Sequence, residues 1–144
     1  MHIGRRIRLL LSSRVPAITW SILIFILLAL PGNMLPDEKH FNIPGLDKLV
    51  HIILFGFFVF LWSFYYACNQ GRIIDTHLRY LKIAFIACIY GTFMEFVQKY
   101  FIPNRNFDVF DILADVLGAA AGYILVLLTV SHFKNNASNI LFKK

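Results

Sequence analysis

Four apolar stretches separated by short polar interruptions set the pattern of the chain. They run from about Val15 to Leu30, Leu49 to Ala67, Tyr80 to Tyr100 and Asp108 to Val130. An α-helix rises ~1.5 Å per residue, so about 20 apolar residues cross the ~30 Å hydrocarbon core of a bilayer. The pattern therefore predicts an all-α membrane protein, a bundle of four transmembrane helices. The first helix is expected to end at Pro31-Gly32. A basic start before an apolar run is also the layout of a signal peptide, but the following LPGNMLP offers no A-x-A cleavage site, so the helix is expected to be retained. The loop from Asn33 to Asp47 holds Pro36, Asp37, Glu38, Pro44 and Gly45, turn residues and charges that a helix in lipid does not accommodate. CNQGRIIDTHLRYLK joins the second and third stretches and FIPNRN the third and fourth, while Tyr65 and Tyr66 suit an interfacial belt.

Composition agrees. The 144 residues are 58% hydrophobic and only 15% charged, outside the range of soluble domains. A single domain over residues 1–144 is expected, with a basic segment at 1–14 and a polar tail at 134–144. The formal charge of +6 sits in short clusters beside the apolar runs rather than on a polar domain, which speaks against nucleic acid as a partner and for membrane lipids. Ten of the fourteen Lys and Arg residues fall in the amino-terminal segment, the middle connection and the tail. The other four are Lys39, Lys48, Lys99 and Arg105. The positive-inside rule then places both termini in the cytoplasm. Cys68 and Cys88 have neither metal-ligand nor CxxC spacing and are expected to pack as small apolar residues.

This topology decides which polar residues are neighbours. Asp47, Lys48 and His51 begin the second helix, Glu95 and Gln98 lie near the end of the third, and Arg105, Asp108, Asp111 and Asp115 surround the start of the fourth. All are expected at one depth near the outer leaflet, His51 about 6 Å below Asp47, Glu95 about 7 Å below Tyr100 and Asp115 about 10 Å below Asp108. At roughly 100° per residue, Asp111, Asp115, Gly118 and Gly122 fall within about 60° of one another, so the acidic and small-residue stripes share one face. Ala114, Gly118 and Gly122 let a neighbouring helix approach, which points that face into the bundle. Gly91, Glu95 and Gln98 likewise share a face. Asp108 is also placed to cap the fourth helix, and Lys48 and Arg105 to extend towards the headgroups.

The ordered set Asp47-Lys48-x-x-His51, Glu95-x-x-Gln98 and Arg105-x-x-Asp108-x-x-Asp111-x-x-x-Asp115-x-x-Gly118 resembles the VanZ-like family of small bacterial membrane proteins. The match covers about residues 45–122. It departs at Asp115, where the family commonly has Asn. The resemblance implies a multi-pass protein of the bacterial cytoplasmic membrane, in a cell-envelope setting connected in the founding member with teicoplanin resistance; it implies no reaction.

The residues themselves suggest several uses. Ionisable groups in apolar segments cost free energy and usually pair, line a cavity or serve a site. The preferred expectation is a site that binds or acts on an envelope lipid or lipid-linked precursor. Glu95, Asp111 and His51 are its candidates for acid–base catalysis, and Lys48, Arg105 and Gln98 for holding an anionic group. Asp47, Asp108, Asp115, Gly118 and Gly122 support them. No cofactor is required; a divalent metal on His51, Glu95, Asp111 and Asp115 is an alternative, although a single His and no HExxH motif give it little sequence support. Two further classes stay open: a small proton-coupled carrier or channel, and a non-enzymatic binding or scaffold protein.

Overall fold

The computed structural model describes residues 13–34, 45–69 and 76–141. Arg5, Arg6 and Arg8, the loop charges Asp37, Glu38 and Lys39 with Pro36 and Pro44, Arg72 and Asp75, and Lys143 and Lys144 lie outside these residues. Four helices follow in order: α1 (Val15–Leu28), α2 (Leu46–Asn69), α3 (Thr76–Phe101) and α4 (Val109–Leu141), with a single 3-10 turn over Gly32–Met34 after α1. No strand occurs among the described residues.

Among the described residues, three segments are long and apolar enough to cross a membrane: Leu46–Asn69, His77–Phe101 and Val109–His132. The first helix is shorter than the expected span. Pro16 sits in its first turn, where the missing N–H costs nothing, and the helix stops at Leu28, ahead of Pro31. Its 14 residues reach about 21 Å. Two boundaries also differ. α3 starts at Thr76 because THLR contains no breaker, and α4 continues to Leu141 because SHFKNNASNI lacks Gly and Pro. Hydropathy marks where lipid contact ends, whereas backbone hydrogen bonding continues until something stops it.

The helices alternate in direction. The Gln98 side-chain amide donates to the Leu28 carbonyl at 3.0 Å, and the Gly32 N–H donates to the Pro103 carbonyl at 3.2 Å. The end of α1 therefore meets the end of α3 and the α3–α4 loop. At the opposite end Arg14, just ahead of α1, donates to the Tyr65 hydroxyl near the end of α2. Between the two ends the core is apolar: Ile24 and Leu28 of α1, Phe55 and Val59 of α2, and Ala87 and Met94 of α3 are buried together. Tyr90 stands between Phe55 and Phe58 and ties α3 to α1 through a bond from its hydroxyl to the Ser21 carbonyl. Large apolar side chains such as Phe57, Phe85, Phe93, Leu117 and Leu128 face outward.

The tightest crossing is between α2 and α4. A Cβ on Gly118 would lie 2.4 Å from the Ile52 carbonyl oxygen, and one on Gly122 would lie 2.2 Å from that of Gly56. Both contacts are with backbone, so only glycine permits this approach. That crossing sets the helix separation that brings the acidic face of α4 to the start of α2.

Candidate functional site

Each polar side chain of the site is carried by the last or first turns of a helix. On α2, Asp47 and Lys48 lie in the opening turn, and His51 follows one turn deeper. On α4, Asp108 caps the helix: its carboxylate accepts the Phe110 N–H at 2.8 Å and its carbonyl accepts the Asp111 N–H. Asp111 and Asp115 then succeed one another on the face turned towards α2. On α3, Glu95 and Gln98 look back across the bundle from the final two turns.

An outer layer is organised by Lys48. Its ammonium donates to Asp47 at 2.9 Å, to Asp108 at 2.9 Å and to Asp111 at 3.2 Å. The Lys48, Asp47 and Asp108 side chains are each about one-third exposed, whereas Asp111 is buried. The Lys48 ammonium and the Phe110 N–H together hold the Asp108 carboxyl below the usual aspartate range.

The inner layer is closed to solvent. His51, Glu95, Gln98, Asp111 and Asp115 are all buried, with Glu95 at 0% exposure and Asp115 at 1%. The His51 Nδ1 and Asp115 Oδ1 are 2.8 Å apart. Glu95 accepts the Asp108 backbone N–H at 2.9 Å through Oε2. Its Oε1, the Asp115 Oδ2 and the Arg105 Nε are buried without a hydrogen-bond partner among the described residues. One ligand atom each from His51, Glu95 and Asp111 lie within 4.8 Å of one another, although the three residues come from three different helices.

The residues singled out from the sequence thus meet at one end of the bundle, with their parts divided in ways that spacing did not show. Lys48 is shared among three acids. Gln98 spends its amide on Leu28, whose carbonyl stands at the end of α1 with no intrahelical donor. Asp115 stands behind the imidazole of His51 and is not a member of the converging trio of donors. Asp47, Asp108 and Asp111 also come close enough to hold an ion, but the Lys48 ammonium already bonds all three. Gly118 and Gly122 serve the helix crossing.

One contributor was missed. Gly91 gives Asp115 its seat, since a Cβ there would lie 2.2 Å from Asp115 Oδ2 and 2.7 Å from its Cγ. The i, i+4, i+7 spacing of Gly91, Glu95 and Gln98 put this glycine on the correct face without revealing what it faced. A second missed contact is Asn104, held at φ 58° in the α3–α4 loop, whose carbonyl packs against Gly32. Nothing in FIPNRN signals that docking.

The sequence has known relatives. The family described as VanZ/LLP1 matches residues 7–130. An uncharacterized protein of the fission yeast Schizosaccharomyces pombe is 33% identical over 105 residues, which cover 73% of this chain and 61% of the relative. The chain thus spans less than two thirds of that relative's length. No solved structure matches the chain.

Proposed function

The chain belongs to the VanZ/LLP1 family, and from that premise we propose that the polar end of its bundle binds and acts on the headgroup of a membrane lipid or lipid-linked precursor. The observation that carries this reading is the two-layer cluster: a buried His51–Glu95–Asp111 trio beneath a half-exposed rim of Asp47, Lys48 and Asp108. It occupies the ends of three helices apolar enough to cross a membrane, so in a bilayer it lies just below the headgroups. A lipid headgroup is the polar substrate that reaches this depth while its acyl chains stay in hydrocarbon.

Roles follow from what each group already holds. Lys48 neutralises the rim. Arg105, three residues ahead of Asp108 in the loop closing this end, has a buried Nε without a partner among the described residues and is a cation available to an anionic headgroup. Glu95 has one oxygen committed to a backbone N–H and one uncommitted, the state of a group able to take or release a proton. Asp111 and the His51–Asp115 pair flank it. The outer-leaflet side of a bacterial cytoplasmic membrane, with both termini cytoplasmic, belongs to the same proposal.

A carrier or channel is supported less well. Among the described residues, every buried Asp, Glu and His lies at this one end, and the buried polar side chain towards the other end is Ser63. Among the described residues no buried ionisable path crosses the bundle.

The test is the lipid and lipid-precursor profile of cells carrying the intact chain, no chain, or Glu95→Gln and Asp111→Asn. Deletion is expected to change one lipid class, and both variants to reproduce the deletion at normal protein level. Variants that restore the intact profile would remove acid–base chemistry from this site.

A further inference from the structure

We propose that His51, Glu95 and Asp111 form a binding site for a divalent cation, with Asp115 orienting the imidazole. The inference concerns the same cluster but does not depend on what the cluster acts upon.

Geometry comes first. Nitrogen and oxygen ligands ~2.1 Å from one ion lie about 3 to 4 Å apart, so donors within 4.8 Å of one another need only a small closing movement to ligate together. Because α2, α3 and α4 each supply one donor, the set exists only in the folded bundle. Rotamer adjustments on helix ends can supply the closure without moving the α2–α4 crossing.

The imidazole is prepared for the purpose. With Nδ1 donating to the Asp115 carboxylate, the lone pair is left on Nε2 for a metal, and the carboxylate fixes the orientation of the ring. Gly91 holds the space in which that carboxylate sits.

The third observation is the Glu95 carboxylate. It is fully buried, and its Oε1 has no hydrogen-bond partner among the described residues. A buried carboxylate oxygen without a partner is expensive, and in a bilayer water does not readily relieve it. Charge leads the same way. Asp47, Glu95, Asp108, Asp111 and Asp115 crowd around Lys48 and His51, with Arg105 close by in sequence, an acid excess that needs protons or a cation. A dication at the trio offsets two of the three negative charges left after Lys48 and Arg105. It would also let an acid-rich pocket attract an anionic group, since a bound ion is the largest local charge. One nitrogen and two carboxylates suit Mn2+ or Zn2+, with coordination positions left open.

Mn2+ is the probe. The full chain, reconstituted in nanodiscs of zwitterionic phosphatidylcholine and stripped with chelator, is dialysed against Mn2+ and read by elemental analysis and electron spin-echo spectroscopy. One ion per chain is expected, with nitrogen coupling from one imidazole that disappears in His51→Gln. Affinity is expected to fall at least tenfold in His51→Gln and Glu95→Gln, and by 10–100-fold in Asp115→Asn. Asp47→Asn should stay within about twofold. The unsubstituted chain should also melt at a higher temperature with Mn2+ than without, a readout that needs no variant to fold. No stoichiometric ion, no nitrogen coupling, or binding lost in Asp47→Asn but kept in Glu95→Gln would overturn the proposal, the last by placing the ion on the rim. Native mass spectrometry of the chain from nanodiscs that also contain anionic phosphatidylglycerol separates this from the headgroup reading: an ion with no retained lipid upholds the metal site alone, and a retained lipid with no ion sinks it.

Discussion

Lys48 shows how far one side chain governs this molecule. Its ammonium sits among three carboxylates, and a residue of opposite charge at each contact keeps them from repelling one another. Replacing it by Met removes that charge and leaves Asp111 buried without its partner, which should cost about 1–3 kcal/mol, with Lys48→Arg costing less. Denaturant unfolding in mixed micelles measures the loss. The pH dependence has a definite sign. Asp108 titrates below the ordinary aspartate value in the folded chain, so its contribution is present above that ordinary value and is lost as pH falls through the folded one. The deficit of Lys48→Met should therefore shrink as pH drops below about 4, and carboxyl NMR should show Asp108 returning towards its ordinary titration. A deficit independent of pH would mean that Lys48 acts through packing of its stem. Residue identities and spacing exposed these groups as candidates, because acids are rare in apolar segments. Which acid would take Lys48, and that Asp115 would be taken by His51, depended on side-chain reach between helices and was not legible.

At the scale of elements, the α2–α4 crossing positions the site. Gly118 and Gly122 were legible as a close-packing stripe from their four-residue spacing, and their common face with Asp111 and Asp115 followed from helical periodicity. Their partners were not legible: it takes the fold to place Ile52 and Gly56 carbonyls against them. Gly118→Ala and Gly122→Ala must push backbone from backbone, which should destabilise by about 1–3 kcal/mol each. Because both displace α2 from α4, they should also weaken whatever His51 and Asp111 bind, a joint effect that unfolding and binding assays on the same samples would reveal. Unchanged binding in either variant would show that the crossing does not set the site. The helix ends were less legible than the helix bodies. Pro31-Gly32 bounded α1 without fixing its last residue, and the route by which its last carbonyl is satisfied runs through Gln98, seventy positions away in the chain. Gln98→Leu should leave that carbonyl unpaired and speed amide exchange in the last turn of α1, with little change at α4.

For the whole molecule, an all-helical frame with its buried acids and histidine gathered at one end was readable from hydropathy and helix direction alone. The length of α1 was not, because apolar composition runs on through Ala29 and Leu30 whereas the α-helix itself ends at Leu28. Family membership and three helices able to cross a membrane make this a VanZ-like membrane protein. The central claim is that the polar end receives a headgroup. Native mass spectrometry of the chain released from lipid nanodiscs into the gas phase tests it most directly. The account predicts one retained anionic lipid per chain, lost at least tenfold in Arg105→Ala and kept in Lys99→Ala. Equal retention by all three chains, or none by the unsubstituted one, would contradict it.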